Sequence, residues 1–333
     1  MMEKFLSLRN RNVKLVTTIS IIINLALIVV SLSLGRYNIS IFSIFSFLFG
    51  QGSSTDSAVI VNLRLPRILG ALLVGATLAQ DGAVYQAMFN NPLASSYILG
   101  VSSGAGFGAA LAILLFNDFF FVELFAFVFG VLSVMITLSI ARARPEENIS
   151  LVLGGFIVGS LFQSFTSFLK YVADPNTKLP EIVFWLMGSL SQITLKQILI
   201  LGPICLALIV VVSFFGFKLN ILSFGDEEAI ALGENPKLLR GVLIALTTFQ
   251  TAIVVSLSGV IGWVGLVIPH LVRFLVGYDN RYVLVLSVLF GSAYMLLIDT
   301  LARTLLPAEI PIGILTGIIG TPFFLALIRR KRT

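Results

Sequence analysis

One cysteine and one histidine in 333 residues leave this chain almost no soft or imidazole ligand chemistry. Cys205 sits in the apolar run PICLALIVVVSFF, so an intrachain disulfide is excluded and a packing role is favoured over reactivity. His270, beside Pro269 in VIPHLVR, reads as a polar residue near a helix end and not as a ligand. Charge is scarce as well, with Asp, Glu, Lys and Arg making up 11% of the residues. No GxxxxGK followed by Ser or Thr occurs, so the chain lacks the backbone phosphate cradle and lysine of a P-loop and is not itself a nucleotide hydrolase. No GxSxG or paired-aspartate motif occurs, and His270 has no evident catalytic partner, which argues against an intramembrane enzyme. Gly100, Gly104, Gly106 and Gly108 follow no soluble strand, so they read as a packing device and not as a dinucleotide fingerprint.

What remains is apolar sequence. A hydrophobic share of 57% and a mean hydropathy of +1.02 belong to an integral membrane protein. The fold class is all-α, a polytopic membrane protein of about ten transmembrane helices, each needing roughly 20 apolar residues to cross the hydrocarbon core. The spans fall near 15–34, 67–88, 97–116, 121–140, 149–172, 198–217, 241–258, 262–276, 282–300 and 311–328, in one membrane domain over residues 1–333. The first is too long for a signal peptide and lacks a small-residue cleavage site. The spans at 97–116 and 262–276 are interrupted by glycines, which suits broken or partly re-entrant helices.

An even count puts both termini on one side. With that side cytoplasmic, it holds 15 of the 22 basic residues, among them Lys4, Arg9, Arg142, Arg144, Lys218, Arg273 and Arg329. The formal charge of +6 and pI near 9.6 therefore reflect topology, and no nucleic-acid partner is implied. Against this bias, Arg64 and Arg67 lie on the outer side around Leu65 and Pro66, where proline opens a helix and both guanidiniums are expected to face external water. Arg303 follows the ninth span at the same surface. Single arginines there are usually interfacial anchors, but three at one mouth suit the carboxylates of an acidic protein partner. Beneath them, Gly70, Gly75, Ala79, Gly82 and Ala83 leave room for close helix packing.

On the cytoplasmic side, residues 218–240 read KLNILSFGDEEAIALGENPKLLR. Gly225 and Asp226 start a short helix through Leu232, Gly233 ends it, and Asn235 with Pro236 begins a second short helix ahead of the seventh span. Inside the second span, Asp81 carries a charge that is costly unless paired, protonated or turned to a wet cavity, which makes it a pathway candidate. Pairing with Gln80, Gln86 or a neighbouring helix is the structural alternative.

Several segments in order resemble one family, the FecCD or cobalamin-permease type of ABC importer permease. They are RLPR with GAVYQAMFNNPLASSYILGVSSGAGFGA, FWLMGSL at 184–190, GVIGWVGLVIPHLVR at 259–273, and DTLAR followed by EIPIGILTGIIGTPFFLALIRR. The resemblance runs from about Arg64 to Arg330 and implies ten helices per subunit, in the fold of type II ABC importer permeases. It implies a second permease subunit, foremost in a homodimer, two cytoplasmic ATPase subunits and an extracytoplasmic substrate-binding protein, in a bacterial or archaeal inner membrane with both termini cytoplasmic. ATP and Mg would be used by the partner ATPase, with no cofactor and no metal bound by this chain. The family's docking arginines fall on Arg64, Arg67 and Arg303. Asp299, at i and i+4 with Arg303, is spaced to orient that guanidinium or to form a simple helix-end ion pair, and Glu309 ahead of Pro311 is placed likewise. Its ATPase-coupling helices fall on 224–239, with Glu228, Ala229, Leu232 and Gly233 at the contact. Its cytoplasmic gate falls on Asn148, Ile149 and Ser150, where relatives with small hydroxyl residues differ at the first two. Asp81 departs from the family pattern, which has a small neutral residue there. The implied cargo is a metal chelate, first an iron–siderophore complex, then haem or cobalamin, with molybdate-type oxyanions as the alternative. An ion-coupled secondary transporter would need a relay of intramembrane charges, and only Asp81 and Asp299 lie within spans.

Overall fold

The computed structural model describes residues 2–35, 37–49, 53–141 and 147–330, and every regular element among them is helical. In chain order the helices are α1 (Met2–Ser33), α2 (Ile41–Leu48), α3 (Ser54–Val59), α4 (Leu65–Met88), α5 (Val101–Leu115), α6 (Phe119–Ala141), α7 (Glu147–Val172) and α8 (Lys178–Met187). They continue as α9 (Leu195–Ser213), α10 (Gly216–Leu222), α11 (Asp226–Ala231), α12 (Pro236–Ser258), α13 (Val264–Val276), α14 (Asn280–Thr304) and α15 (Ile312–Arg330). Seven of these, α1, α4, α6, α7, α9, α12 and α14, are long and apolar enough to cross a membrane, while α5, α13 and α15 are shorter apolar helices. Large apolar side chains such as Phe156, Phe168 and Phe214 point outward from the bundle, as lipid permits.

Helix α4 is the centre of the bundle and packs against α14, α13, α12 and α9. Its small residues make that possible. A Cβ on Gly75 would overlap the carbonyl of Gly291 in α14, and one on Gly82 would overlap the carbonyl of Gly265 in α13. Backbones thus touch, and in lipid such close packing supplies much of the association that the hydrophobic effect supplies in water.

Local chemistry explains where the helices start and stop, and where expectation and structure part. Pro66 stands in the first turn of α4, as expected, but the chain before it is already helical from Ser54, and a single π-turn over Ile60–Arg64 joins the two segments. The sixth span ends at Ser213, and α10 follows as a separate short helix that the sequence reading merged into it. Gly225 and Asp226 do start the short α11, but Asn235 and Pro236 begin no second short helix. Asn235 caps α12 by accepting from the Leu238 amide, and that helix then runs unbroken to Ser258. Helix α8, which holds most of FWLMGSL, was not expected as an element. It stops at Gly188, whose φ of 75° favours glycine, and Gly188 O then accepts from Ile312 N at the start of α15.

The two glycine-interrupted spans are indeed shortened. A 3-10 turn at Ser96–Leu99 and left-handed Gly100 precede α5, and an irregular stretch with positive φ at Gly259 and Trp263 precedes α13. These two non-helical stretches meet, because the Tyr97 hydroxyl donates to the Ile261 carbonyl. Each covers backbone groups that lipid could not satisfy.

Candidate functional site

The arginine end of the bundle is assembled from α1, α4, α14 and the turn before α15. Arg64, Arg67 and Arg303 do come together there, but they do not face water. They are 5%, 9% and 8% exposed, which corrects the expectation of an open pair of guanidiniums. The cause is the C-terminal end of α1, whose last carbonyls have no intrahelical partner. Arg64 donates to the carbonyls of Leu32, Ser33 and Tyr37, and Arg303 donates to the carbonyl and hydroxyl of Ser31. Arginines from two other helices thereby cap the first one.

Arg67 is held by carboxylates instead. Its Nε donates to Asp299 Oδ1 at 2.7 Å, and its Nη1 donates to both oxygens of Glu309 at 3.0 and 2.9 Å. Asp299 is fully buried, whereas the Glu309 side chain is 36% exposed. The expected i, i+4 pairing of Asp299 with Arg303 is the weaker contact, at 3.6 Å and without a hydrogen bond. Beside this cluster, a cavity of about 380 Å³ is lined by Glu181, Phe184, Trp185, Gln192 and Glu309 among others. Lys and Arg are absent from its lining.

Asp81 is not on an open surface. It is completely buried, and its Oδ2 accepts from Thr251 Oγ1 of α12 at 2.8 Å. Turned to satisfy its neighbours, the Gln250 amide donates to Asp81 Oδ1 at 3.2 Å. Gln80 is occupied by Ile209 O and Ser213 Oγ of α9, and Gln86 by the α13 backbone. Asp81 therefore ties α4 to α12 inside the subunit, which is the structural alternative to a place on the pathway. Of the expected partners, the neighbouring helix holds, through Thr251, while Gln80 and Gln86 bond elsewhere.

At the opposite end, α11 stands out from the bundle. Glu228, Leu232 and Gly233 are exposed, but Ala229 is fully buried under the helix and is removed from the contact set. Phe224, Ile230 and Leu238 complete an exposed apolar rim that the sequence reading did not select. The helix is fastened at its base by Arg240, which grips both oxygens of Asp226 at 2.8 and 2.5 Å and holds that carboxyl below its usual range. A Lys218–Glu234 pair at 3.0 Å fastens the far side. In the expected gate, Ile149 is exposed and Ser150 is buried at the start of α7. The Asn148 side chain, like Arg142 and Arg144, lies outside the described residues, as do the side chains of Lys4, Arg9, Arg11, Arg329, Arg330, Lys331 and Arg332.

This arrangement has close relatives. The molybdate import system permease protein MolB of Haemophilus influenzae is 41% identical over 312 residues, covering 91% of this chain and 92% of that protein. The "Probable iron chelatin transport system permease protein" of Helicobacter pylori is 38% identical over 292 residues, covering 86% and 87%. Among solved structures, one assigned to the metal-chelate type of ABC transporter, in an inward-facing conformation, superposes with a TM-score of 0.87 at 38% identity, covering 95% of this chain and 99% of that one. The sequence profile of the FecCD transport family matches residues 22–330, so the chain belongs to that family as a multi-pass ABC importer permease.

Proposed function

We propose that this permease carries a metal chelate, foremost an iron–siderophore complex, across the cytoplasmic membrane by alternating access. The observation that carries the cargo reading is the cavity at the arginine end. Two carboxylates and three aromatic side chains line it, with Glu309 paired to Arg67 and Glu181 to Lys178 and no Lys or Arg in the lining itself, which offers no fork for a small oxyanion and suits a bulky chelate with apolar flanks. The name of the Helicobacter relative supports the same class. A molybdate-type oxyanion is the second reading, favoured by the name of the Haemophilus relative.

Two permease subunits, foremost identical, form the pathway between them, with two ATPases and a substrate-binding protein attached. Helix α11 and the residues around it couple to the ATPase. Its exposed Ile230 and Leu232 offer apolar anchors, Glu228 offers charge, and the Arg240 fork passes any push on α11 into α12. Closure of the ATPases on ATP would bias the bundle between its two open states. The chain itself performs no bond chemistry, and ATP and Mg are used by the partner. The arginine cluster receives the binding protein. Because Arg64 is engaged by backbone carbonyls and Arg303 is buried against Ser31, an incoming carboxylate competes with Glu309, the exposed partner of Arg67. Both termini and α11 are cytoplasmic in this reading, and Ile149 with Ser150 guards the inner exit.

The cargo is tested by mass spectrometry of ligand retained on the natively purified complex with its binding protein, alongside uptake of radioiron chelate and of molybdate. Retention and ATP-dependent uptake of an iron chelate support the first reading. Saturable molybdate uptake with no chelate uptake establishes the second.

A further inference from the structure

The α11 end holds a second, larger cavity of about 540 Å³ that the transport reading does not use. Its wall includes Gln86, Asn90, His270, Arg273, Tyr278 and Asn280, drawn from α4 and its trailing turn, α13 and α14. Neither Asp nor Glu is among the lining residues. Arg273 is half-buried in α13. Its Nη1 donates to Gln86 Oε1 and its Nη2 to Ala83 O, which fixes the guanidinium while a guanidinium has five N–H donors to give. The nearest carboxylate in sequence, Asp279, is engaged elsewhere. Burial pushes that carboxyl up, but hydrogen bonds from Arg281 and Asn220 hold it at about 2, so it stays an anion bound to its own cation.

A second observation concerns Asn280. It is 3% exposed, and its amide oxygen has no hydrogen-bond partner. A buried acceptor without a donor costs about 1–3 kcal/mol and calls for a ligand that donates. The cavity therefore offers a fixed cation for an anion and, in its wall, a residue whose amide oxygen lacks a donor. On its rim, Phe274 and Tyr278 are 63% and 75% exposed at the end of a membrane helix, the level at which aromatic side chains meet lipid headgroups.

The geometry points to a binding site for a phosphate ester that carries a free hydroxyl, in the form of the phosphatidylglycerol headgroup of the adjoining leaflet. Arg273, with His270 beside it, takes the phosphate, and Asn280 Oδ1 accepts from the glycerol hydroxyl. Basic pockets between membrane helices take anionic headgroups by this chemistry. The site ties α4 to α13 and α14 where α11 meets the bundle, so lipid occupancy would steady the base on which an ATPase pushes.

The test is native mass spectrometry of the delipidated full-length permease, with and without its ATPase, titrated with phosphatidylglycerol or phosphatidylcholine. Glycerol 3-phosphate is examined in parallel by thermal shift. Phosphatidylglycerol is expected to bind at least about tenfold more tightly than phosphatidylcholine, a gap of about 1.4 kcal/mol. Arg273→Gln should abolish that preference, while Lys237→Gln, exposed and outside the lining, should keep it. Should Arg273→Gln fail to fold, Asn280→Asp serves, since an added anion at a helix N-terminus is well tolerated by the helix but repels phosphate. Stabilisation by glycerol 3-phosphate equal to that by the lipid would assign the same chemistry to a soluble ester. Equal binding of the two lipids, a preference that survives in folded Arg273→Gln or Asn280→Asp, or loss of the preference whenever the ATPase is bound would overturn the proposal. None of these readouts involves cargo, so a failed uptake assay leaves the inference standing.

Discussion

Asp299 and Glu309 grip the same arginine, yet their burial makes them unequal. Removing Asp299 leaves Arg67 and Arg303 beside an empty buried position, so Asp299→Ala should cost about 3–5 kcal/mol in unfolding of the solubilised protein. Glu309→Gln removes an exposed partner and should cost about 1 kcal/mol or less. Equal losses in the two variants would show that the cluster does not divide into a buried anchor and an exchangeable partner. Asp81 belongs at this scale too. Asp81→Asn keeps an acceptor for Thr251, so transport per folded molecule should match the parent, whereas Asp81→Leu should lower the yield of folded protein. Reduced uptake by well-folded Asp81→Asn would return that residue to the pathway. Sequence alone identified Asp81 as unusual but not its role, because its partner Thr251 lies 170 residues away and only the packed bundle brings them together.

Among the elements, α4 and α11 carry the two ends of the account. Helix α4 depends on glycine at its crossings, so Gly75→Leu should destabilise by about 1–3 kcal/mol or more, because the added side chain meets the Gly291 carbonyl and neither backbone can yield cheaply. Thermal unfolding checks this, and an unchanged midpoint would mean the helices separate without cost. For α11 the prediction concerns binding: Leu232→Glu should release the ATPase during purification while leaving the permease as stable as before, since Leu232 is exposed. Ala229→Glu should instead damage the local fold. The sequence pattern made α11 legible through Gly225, Asp226 and Gly233, whereas Ala229 was placed at the contact by the family resemblance, and the helix is too short to display a period that would have marked it as buried. Helix α8 escaped for a related reason. Its ten residues are apolar and too few to span, and its position is set by Gly188 and Ser189 pairing with α15 and Ser258.

At the level of the whole molecule, composition and the order of apolar runs made the membrane class and the helical fold readable, because lipid leaves few alternatives for backbone that must satisfy itself. Arg64, Arg67 and Arg303 were readable as a group but not as buried. Their exposure depends on where the end of α1 lies, and no local pattern reports that. The central claim is that this bundle is a passive gate moved by partners, with force entering at α11. It is tested most directly in proteoliposomes holding the permease, its ATPase and its binding protein, by measuring ATP-dependent accumulation of the ligand that the binding protein carries. Accumulation should require all three proteins and ATP, and Leu232→Glu should remove it while the folded permease remains in the vesicle. Accumulation by this chain alone in vesicles without ATP would contradict the account.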